Sequence, residues 1–330
     1  MFKASILCML MLWLLNACSH FGSQGNGLLS SSGHAGEVLI VCSDNQWNSS
    51  LGEAVKKTLT QSVLGLPQSE PMFNLSHVAI ERFSAVYQKQ RNIVYFQIDA
   101  SKREPQITVS NDKWATPQLI IKVVAPDAQT AVDYFNLNAK AITDRLLQTE
   151  FKRFERAYRS KQNFKITQML EKNYHLQLIV LQEFIVAVQN DEFCWLRMDT
   201  KEWTQSFLIY TQDYTDTAQL TMRQIIDRRN ELTKKYVFGS IDSSYIVVDE
   251  KHIPVESQNV KVGQYFAVRT SGLWETTYPD FMGGAFVNYA FLDTTRQRIV
   301  NIDAFLYAPS DKKRDYMRQM EAAIQAVELK

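Results

Sequence analysis

Apolar and polar positions along the chain alternate in two distinct periods. Runs with a period of two, or continuous β-branched runs, fall at Glu37–Cys42, Ile93–Asp99, Gln118–Val124 and Leu178–Val188. Further runs lie at Glu192–Met198, Ser206–Thr211, Ser244–Asp249, Gln264–Thr270, Phe286–Leu292 and Arg298–Tyr307. These predict strands. Spacing of three and four residues predicts helices over Leu51–Val63, Ala128–Arg156, Lys165–Tyr174, Ala218–Tyr236 and Lys312–Val327. In the last of these, Met317, Met320, Ile324 and Val327 form one stripe and Lys312, Lys313, Arg314 and Arg318 another. Pro309-Ser310-Asp311 supplies capping residues ahead of it.

Short gaps between paired strands favour antiparallel hairpins over parallel crossovers. The expected class is α+β: mostly antiparallel sheet covered on one face by helices. A strand–strand–helix order recurs at Ile93–Arg156, Glu192–Tyr236 and Phe286–Val327, so repeated units are an expectation. The body divides into 35–160 and 161–330, with the basic stretch Lys152–Lys165 between them. That stretch carries Lys152, Arg153, Arg156, Arg159, Lys161 and Lys165, with Glu150 and Glu155 interleaved. It reads as a solvated helix face, with contact to phosphorylated lipid head groups as the functional alternative.

The N-terminus follows a different pattern. Lys3 precedes the uncharged apolar run Ile6–Leu15, which is too short for a ~30 Å hydrocarbon layer. Leu15-Asn16-Ala17-Cys18 then resembles the lipobox of bacterial lipoproteins. Residues 1–17 are expected to be a signal peptide, Cys18 the lipidated residue, and 18–34 a Gly/Ser-rich tether. Ser19, rather than Asp, after the cysteine favours the outer membrane, with the body facing the periplasm. The implied partners are the membrane, through the lipid, and an envelope protein or glycan.

Composition changes this picture little. Of 330 residues 45% are hydrophobic and 22% charged, which excludes disordered and fibrous chains. Lys+Arg is 36 and Asp+Glu is 35, so charge gives no reason to expect nucleic acid. Removal of residues 1–17 takes Lys3 away and balances the charges. Cys42 and Cys194 remain as thiols. An oxidising compartment would permit a bridge between them; two buried free thiols is the other reading. The cysteine and histidine spacings match no zinc site, and no cofactor or metal is expected. No hydrolase, nucleotide-binding or metalloprotease motif is present. Ser310-Asp311-Lys312-Lys313 and Ser43-Asp44-Asn45 imitate penicillin-binding motifs, but in reversed order, and Ser310 already serves as a cap.

One segment is unusually dense in chemistry. Between Ser271 and Phe286 lie Trp274, Glu275, Asp280, Met282, Gly283, Gly284 and Phe286. These are candidate ligand- or partner-binding residues, since a Gly pair lets another chain approach closely. Glu275 and Asp280 are also candidate catalytic residues of a glycan or peptidoglycan hydrolase, Glu275 as acid and Asp280 as partner. A buried connection whose aromatics belong to the core is the competing reading, and solute capture between the two halves is a third function.

Several of these stretches together are similar to one family. Gly36-Glu37 through Trp47, the loop Leu66–Pro71, Arg91-Asn92-Ile93, Met282-Gly283-Gly284-Ala285-Phe286, and Ala304–Pro309 with Lys313-Arg314 resemble the Bacteroidota lipoprotein family called domain of unknown function 4837. The family pattern has Pro between the Gly pair and Phe, where this chain has Ala285. The resemblance implies envelope localisation and a match over nearly all of the mature chain. It implies no activity and no catalytic residues.

Overall fold

A computed structural model describes residues 27–241 and 243–330. The signal-like segment and Cys18 lie outside the described residues. The N-terminal part contains β1 (Leu29–Ser30), β2 (Glu37–Val41), α1 (Asp44–Trp47), α2 (Ser50–Leu59), β3 (Asn74–Val78), α3 (Ala85–Gln88), β4 (Asn92–Ile98), β5 (Gln106–Asn111), β6 (Ala115–Thr116), β7 (Leu119–Ala125), α4 (Ala128–Leu137) and α5 (Ala139–Arg159). Its sheet has the order β3-β2-β4-β7-β5. Three of its pairings are parallel and only β5 runs antiparallel, against β7.

This departs from the expected hairpins. The runs at Ile93 and Gln118 are neighbours, but β5 lies between them in sequence and takes the edge, so β7 inserts parallel to β4. Their continuous apolar character reflects burial on both faces, as parallel strands require. Leu51, Val55 and Leu59 of α2, Val132 and Phe135 of α4, and Ile142 and Leu146 of α5 cover Val38, Ile40, Val94, Phe96 and Ile121 on one face. Leu39, Val41, Ile93 and Ile120 meet Ile80, Phe83 and Trp114 on the other.

The C-terminal part contains α6 (Phe164–Tyr174), β8 (Leu176–Gln177), β9 (Ile185–Gln189), β10 (Phe193–Asp199), β11 (Thr204–Asp213), α7 (Met222–Tyr236), β12 (Ile246–Asp249), β13 (Glu256–Val262), β14 (Tyr265–Thr276), β15 (Gly283–Asp293), β16 (Arg298–Tyr307), α8 (Arg314–Gln325) and β17 (Glu328–Leu329). Its 8-stranded sheet has the order β12-β14-β15-β16-β11-β10-β9, with β13 on the other half of β14. Every pairing in it is antiparallel. The chain is thus α+β and mostly antiparallel.

Helices cover both faces of this sheet, not one. Val287, Tyr289, Val300, Ile302 and Ala304 pack against Met317, Met320 and Ile324 of α8 and against α6. The alternate residues Phe286, Phe305, Leu208 and Tyr210 pack under Ile226 and Leu232 of α7. Alternation was therefore faint in β15 and β16: both phases are buried. The strand–strand–helix order recurs as β10–β11–α7 and β15–β16–α8, but the units are not symmetric copies. A two-fold relating antiparallel β11 and β16 lies normal to the sheet and would leave both helices on one face. The unit from 93 to 156 pairs its strands in parallel.

The Pro-flanked loop Leu66–Pro71 joins the two parts. Leu66 belongs to the C-terminal core cluster. The carboxylate of Glu70 accepts from the backbone N–H groups of Lys313 (2.6 Å) and Arg314 (3.2 Å) at the start of α8. Arg314 donates to Pro71 O, and Arg318 to Met72 O. Gly36 is required at this joint. Its φ is +72°, and a Cβ there would stand 2.9 Å from the Arg318 guanidinium.

Cys42 and Cys194 are free and buried, so the bridge allowed by the sequence is not formed. The first sits in the N-terminal core and the second in the C-terminal one. Burial pushes both thiols up to about 12.

Candidate functional site

The dense segment around Ser271–Phe286 is divided by its own strand geometry. Trp274, in β14, is 2% exposed, and its indole Nε1 donates to Leu306 O at 3.2 Å. It packs edge-on against Phe305. Phe286, in β15, is also buried and carries the Arg229 guanidinium 4.4 Å from its ring centroid. Gly284 lets β15 lie close to its neighbours: a Cβ would fall 1.9 Å from Leu306 O and 2.9 Å from the Trp274 Nε1. The close approach anticipated at the Gly pair is therefore made by the chain's own strands. Gly283 opens β15, and Met282 exchanges hydrogen bonds with Thr276 through its backbone.

Asp280 is the organiser of the turn. It is 6% exposed, and both carboxylate oxygens are occupied. Oδ2 accepts from Ser240 N (2.7 Å) and Ser244 Oγ (3.2 Å), and Oδ1 from Ser240 Oγ (3.0 Å) and Phe281 N (2.9 Å). Burial acts to raise its pKa, but the Ser240, Phe281 and Ser244 hydrogen bonds together hold it below the usual aspartate value. Such a carboxylate has no proton to give and no free oxygen to activate water. Glu275 is part-exposed, with Lys251 Nζ at 3.9 Å. Asp280 thus supplies structure where a two-carboxylate glycosidase needs chemistry.

The same turn exposes a surface that the sequence pattern did not single out. With Asp280 tied to Ser240 and Ser244, the loop after α7 and the β14–β15 connection form one tip. On it Tyr278 is 84% exposed, Phe281 88%, Phe238 61% and Ile241 44%. The Tyr278 and Phe281 rings meet edge-to-face, with centroids 6.3 Å apart. Gly239 permits this clamp, since a Cβ there would stand 2.3 Å from both Asp280 Oδ2 and Ser244 Oγ. Tyr278 and Phe281 were visible in the sequence as aromatics, but nothing in the pattern separated them from buried Trp274 and Phe286.

Two further clusters lie elsewhere. Ligand atoms of Asp249, His252 and Glu275 fall within 4.8 Å of one another, brought together by the β12–β14 pairing rather than by helical spacing. Asp249 Oδ2 lies 2.6 Å from His252 Nδ1, and Oδ1 accepts from the N–H groups of Lys251 and His252. These three are the groups that could hold a divalent cation among the described residues, although the turn already accounts for their arrangement.

The second cluster is a basic cleft of about 310 Å³ between α5 and the β5–β7 segment. Arg145, Gln148, Thr149, Lys152 and Arg156 line it from one helical face, opposite Asn111, Asp112, Pro117 and Gln118. Lys152–Arg159 is the last part of α5, so this portion of the basic stretch is helical as its sequence reading expected. Glu150 does not screen this face: it is fully buried beneath it, bound to Arg91 (2.9 Å), Asn92 (2.8 Å) and Arg153 (2.5 Å). Glu155 pairs with Arg159.

Residues 163–326 match the family model described as Domain of unknown function (DUF4837), and residues 31–159 match one described as Domain of unknown function (DUF8532). The first match covers the C-terminal part, a shorter stretch than the resemblance implied. No curated protein matches the chain. Among solved structures, the Ran-binding protein Mog1p of Saccharomyces cerevisiae aligns at 10% identity and a TM-score of 0.29, over 47% of this chain and 90% of that one. A Bacteroides thetaiotaomicron VPI-5482 protein aligns at 5% identity and 0.27, over 48% of this chain and 46% of that one. Likeness at these scores carries no structural weight.

Proposed function

We propose that this protein, whose residues 163–326 match the DUF4837 family model, is a lipid-anchored outer-membrane protein that faces the periplasm and binds an envelope protein partner without catalysis. The observation that carries the binding role is the aromatic tip. Tyr278, Phe281, Phe238 and Ile241 are solvent-exposed on a turn held by four hydrogen bonds to one buried carboxylate. Large exposed aromatics on a preorganised base are the kind of group that anchors protein interfaces, because little side-chain freedom is lost when they are covered. Leu15-Asn16-Ala17-Cys18 supports the anchor, and Ser19 supports outer-membrane sorting.

The two parts of the proposal are tested separately. In the native host, a fatty-acid analogue should label the wild-type protein, and Cys18→Ser should abolish the label and release the protein from the membrane fraction. Equal labelling of Cys18→Ser would contradict lipidation at this residue. The double variant Tyr278→Ser/Phe281→Ser should keep its thermal midpoint, since exposed substitutions change stability by about 0.5 kcal/mol or less. It should lose the proteins that co-purify with the wild type from solubilised envelopes. An unchanged set of co-purifying proteins would remove the tip from the account.

A further inference from the structure

We propose that the cleft on α5 binds the phosphate of an anionic membrane-lipid head group. Arg145, Lys152 and Arg156 recur every seven and four residues, so they stand on one face of α5 and converge on the same cleft. No carboxylate among the described residues lies within ion-pair distance of any of the three. That is unusual for clustered surface cations, whose repulsion is ordinarily relieved by interleaved acids. Glu150 is turned inward and neutralised by Arg91 and Arg153, and Glu155, the acid three residues from Lys152, is taken up by Arg159. Arg153 also lines the cleft. Its side chain is 6% exposed, it is locked by Asn92, Glu150 and Arg91 O, and its Nε has no hydrogen-bond partner.

Asp112 is the carboxylate in the lining, and its Oδ1 accepts from Gln118 N at 2.7 Å. The lining therefore keeps an excess of positive charge, with Asn111, Gln148 and Thr149 beside it as neutral hydrogen-bonding groups. Guanidinium and ammonium donors converging on a polar cleft suit a phosphate oxyanion.

The position of the chain entry favours a lipid as the source of that phosphate; this step rests on the lipid anchor proposed above. β1 pairs in parallel with β6, and Ser31 N donates to Thr116 O at 3.0 Å. The next residues after Thr116, Pro117 and Gln118, are lining residues of the cleft. The anchor segment thus joins the body at the cleft. Chain geometry keeps an acylated Cys18 within about 40 Å of Leu29, at ~3.3–3.6 Å per residue. A basic patch beside an acyl anchor supplies a second membrane signal and sets which side of the body faces the bilayer.

The test uses the full chain carrying Cys18→Ser, so that no acyl chain contributes and the result is independent of lipidation. Co-sedimentation is compared on phosphatidylglycerol-containing vesicles and on neutral phosphatidylcholine vesicles, with inorganic phosphate titrated separately. Binding to the anionic vesicles, weakened by salt and absent on neutral ones, is the expected result. Arg145→Gln/Lys152→Gln/Arg156→Gln should weaken it by roughly a hundredfold, taking each cation near a lipid surface at its usual contribution. A control of equal charge change at exposed sites, Lys102→Gln/Lys201→Gln/Lys261→Gln, should leave it within about twofold. Equal loss in both triple variants would reduce the effect to net charge and overturn the site. Binding of inorganic phosphate without binding of anionic vesicles would overturn the lipid assignment, as would equal binding to neutral vesicles, which would point to the aromatic tip.

Discussion

Asp280 shows what a single side chain contributes here. A carboxylate that reads in sequence as half of a catalytic pair is, in the fold, the clamp of a turn whose outer surface is aromatic. Because hydrogen bonds hold its pKa below the unfolded value, its contribution is present above the ordinary aspartate range, near pH ~3.9, and is lost as pH falls through the lower folded value. Asp249, lowered by the Lys251 and His252 hydrogen bonds against the opposing effect of burial, adds in the same direction. Asp280→Asn should therefore lower the unfolding free energy from urea titration at neutral pH by about 1–3 kcal/mol, for lost hydrogen bonds to a buried charge. The difference from wild type should shrink on acidification. A constant difference between neutral pH and pH ~2 would show that the ionised carboxylate is not what matters. The residue types of this segment were legible in the sequence; their burial was not. Trp274 and Phe281 sit in the same run, yet one is 2% and the other 88% exposed, because strand pairing with β15 and β16 covers only the first.

At the scale of elements, α8 was the clearest helix in the sequence, yet its start is set from far away. Pro309-Ser310-Asp311 predicted a local cap. The helix begins at Arg314, and the N–H groups of Lys313 and Arg314 are instead taken by Glu70. A carboxylate at a helix N-terminus is favoured by both hydrogen bonding and the helix dipole. Glu70→Ala should destabilise the protein by about 1–2 kcal/mol, and Glu70→Gln should recover part of that because one oxygen still accepts. Local hydrogen exchange should rise first at 313–317, together with the 66–72 loop. Protection unchanged at both would contradict a joint held by Glu70. No local pattern could reveal this contact, since the partners are separated by most of the chain. The same reason hid the parallel pairing of β4 and β7, and the exposed strands β3, β5 and β13 lack the apolar runs that mark buried ones.

On the scale of the whole molecule, the basic cleft and the aromatic tip lie in different parts. The chain enters beside the basic cleft in the N-terminal part, and the exposed aromatic tip belongs to the C-terminal part, on the side of its sheet covered by α7. Balanced overall charge concealed the cleft, because a net count carries no positions: Glu150 is buried with Arg91 and Arg153, and Arg145, Lys152 and Arg156 are left on the surface. The α+β class was readable from periodicity, whereas the two-sided burial of β14–β16 and the side-by-side placement of cleft and chain entry depend on tertiary pairing. These features make an account in which the lipid and the cleft hold the body at the membrane and the tip is left for a partner. Site-specific photocrosslinking in intact cells addresses it most directly, with a photoreactive residue at Phe281 and a control at exposed Lys201. The account predicts a discrete protein adduct from position 281 that is absent at 201 and is lost when Tyr278→Ser is added. No adduct at 281, or the same adducts at both positions, would contradict it.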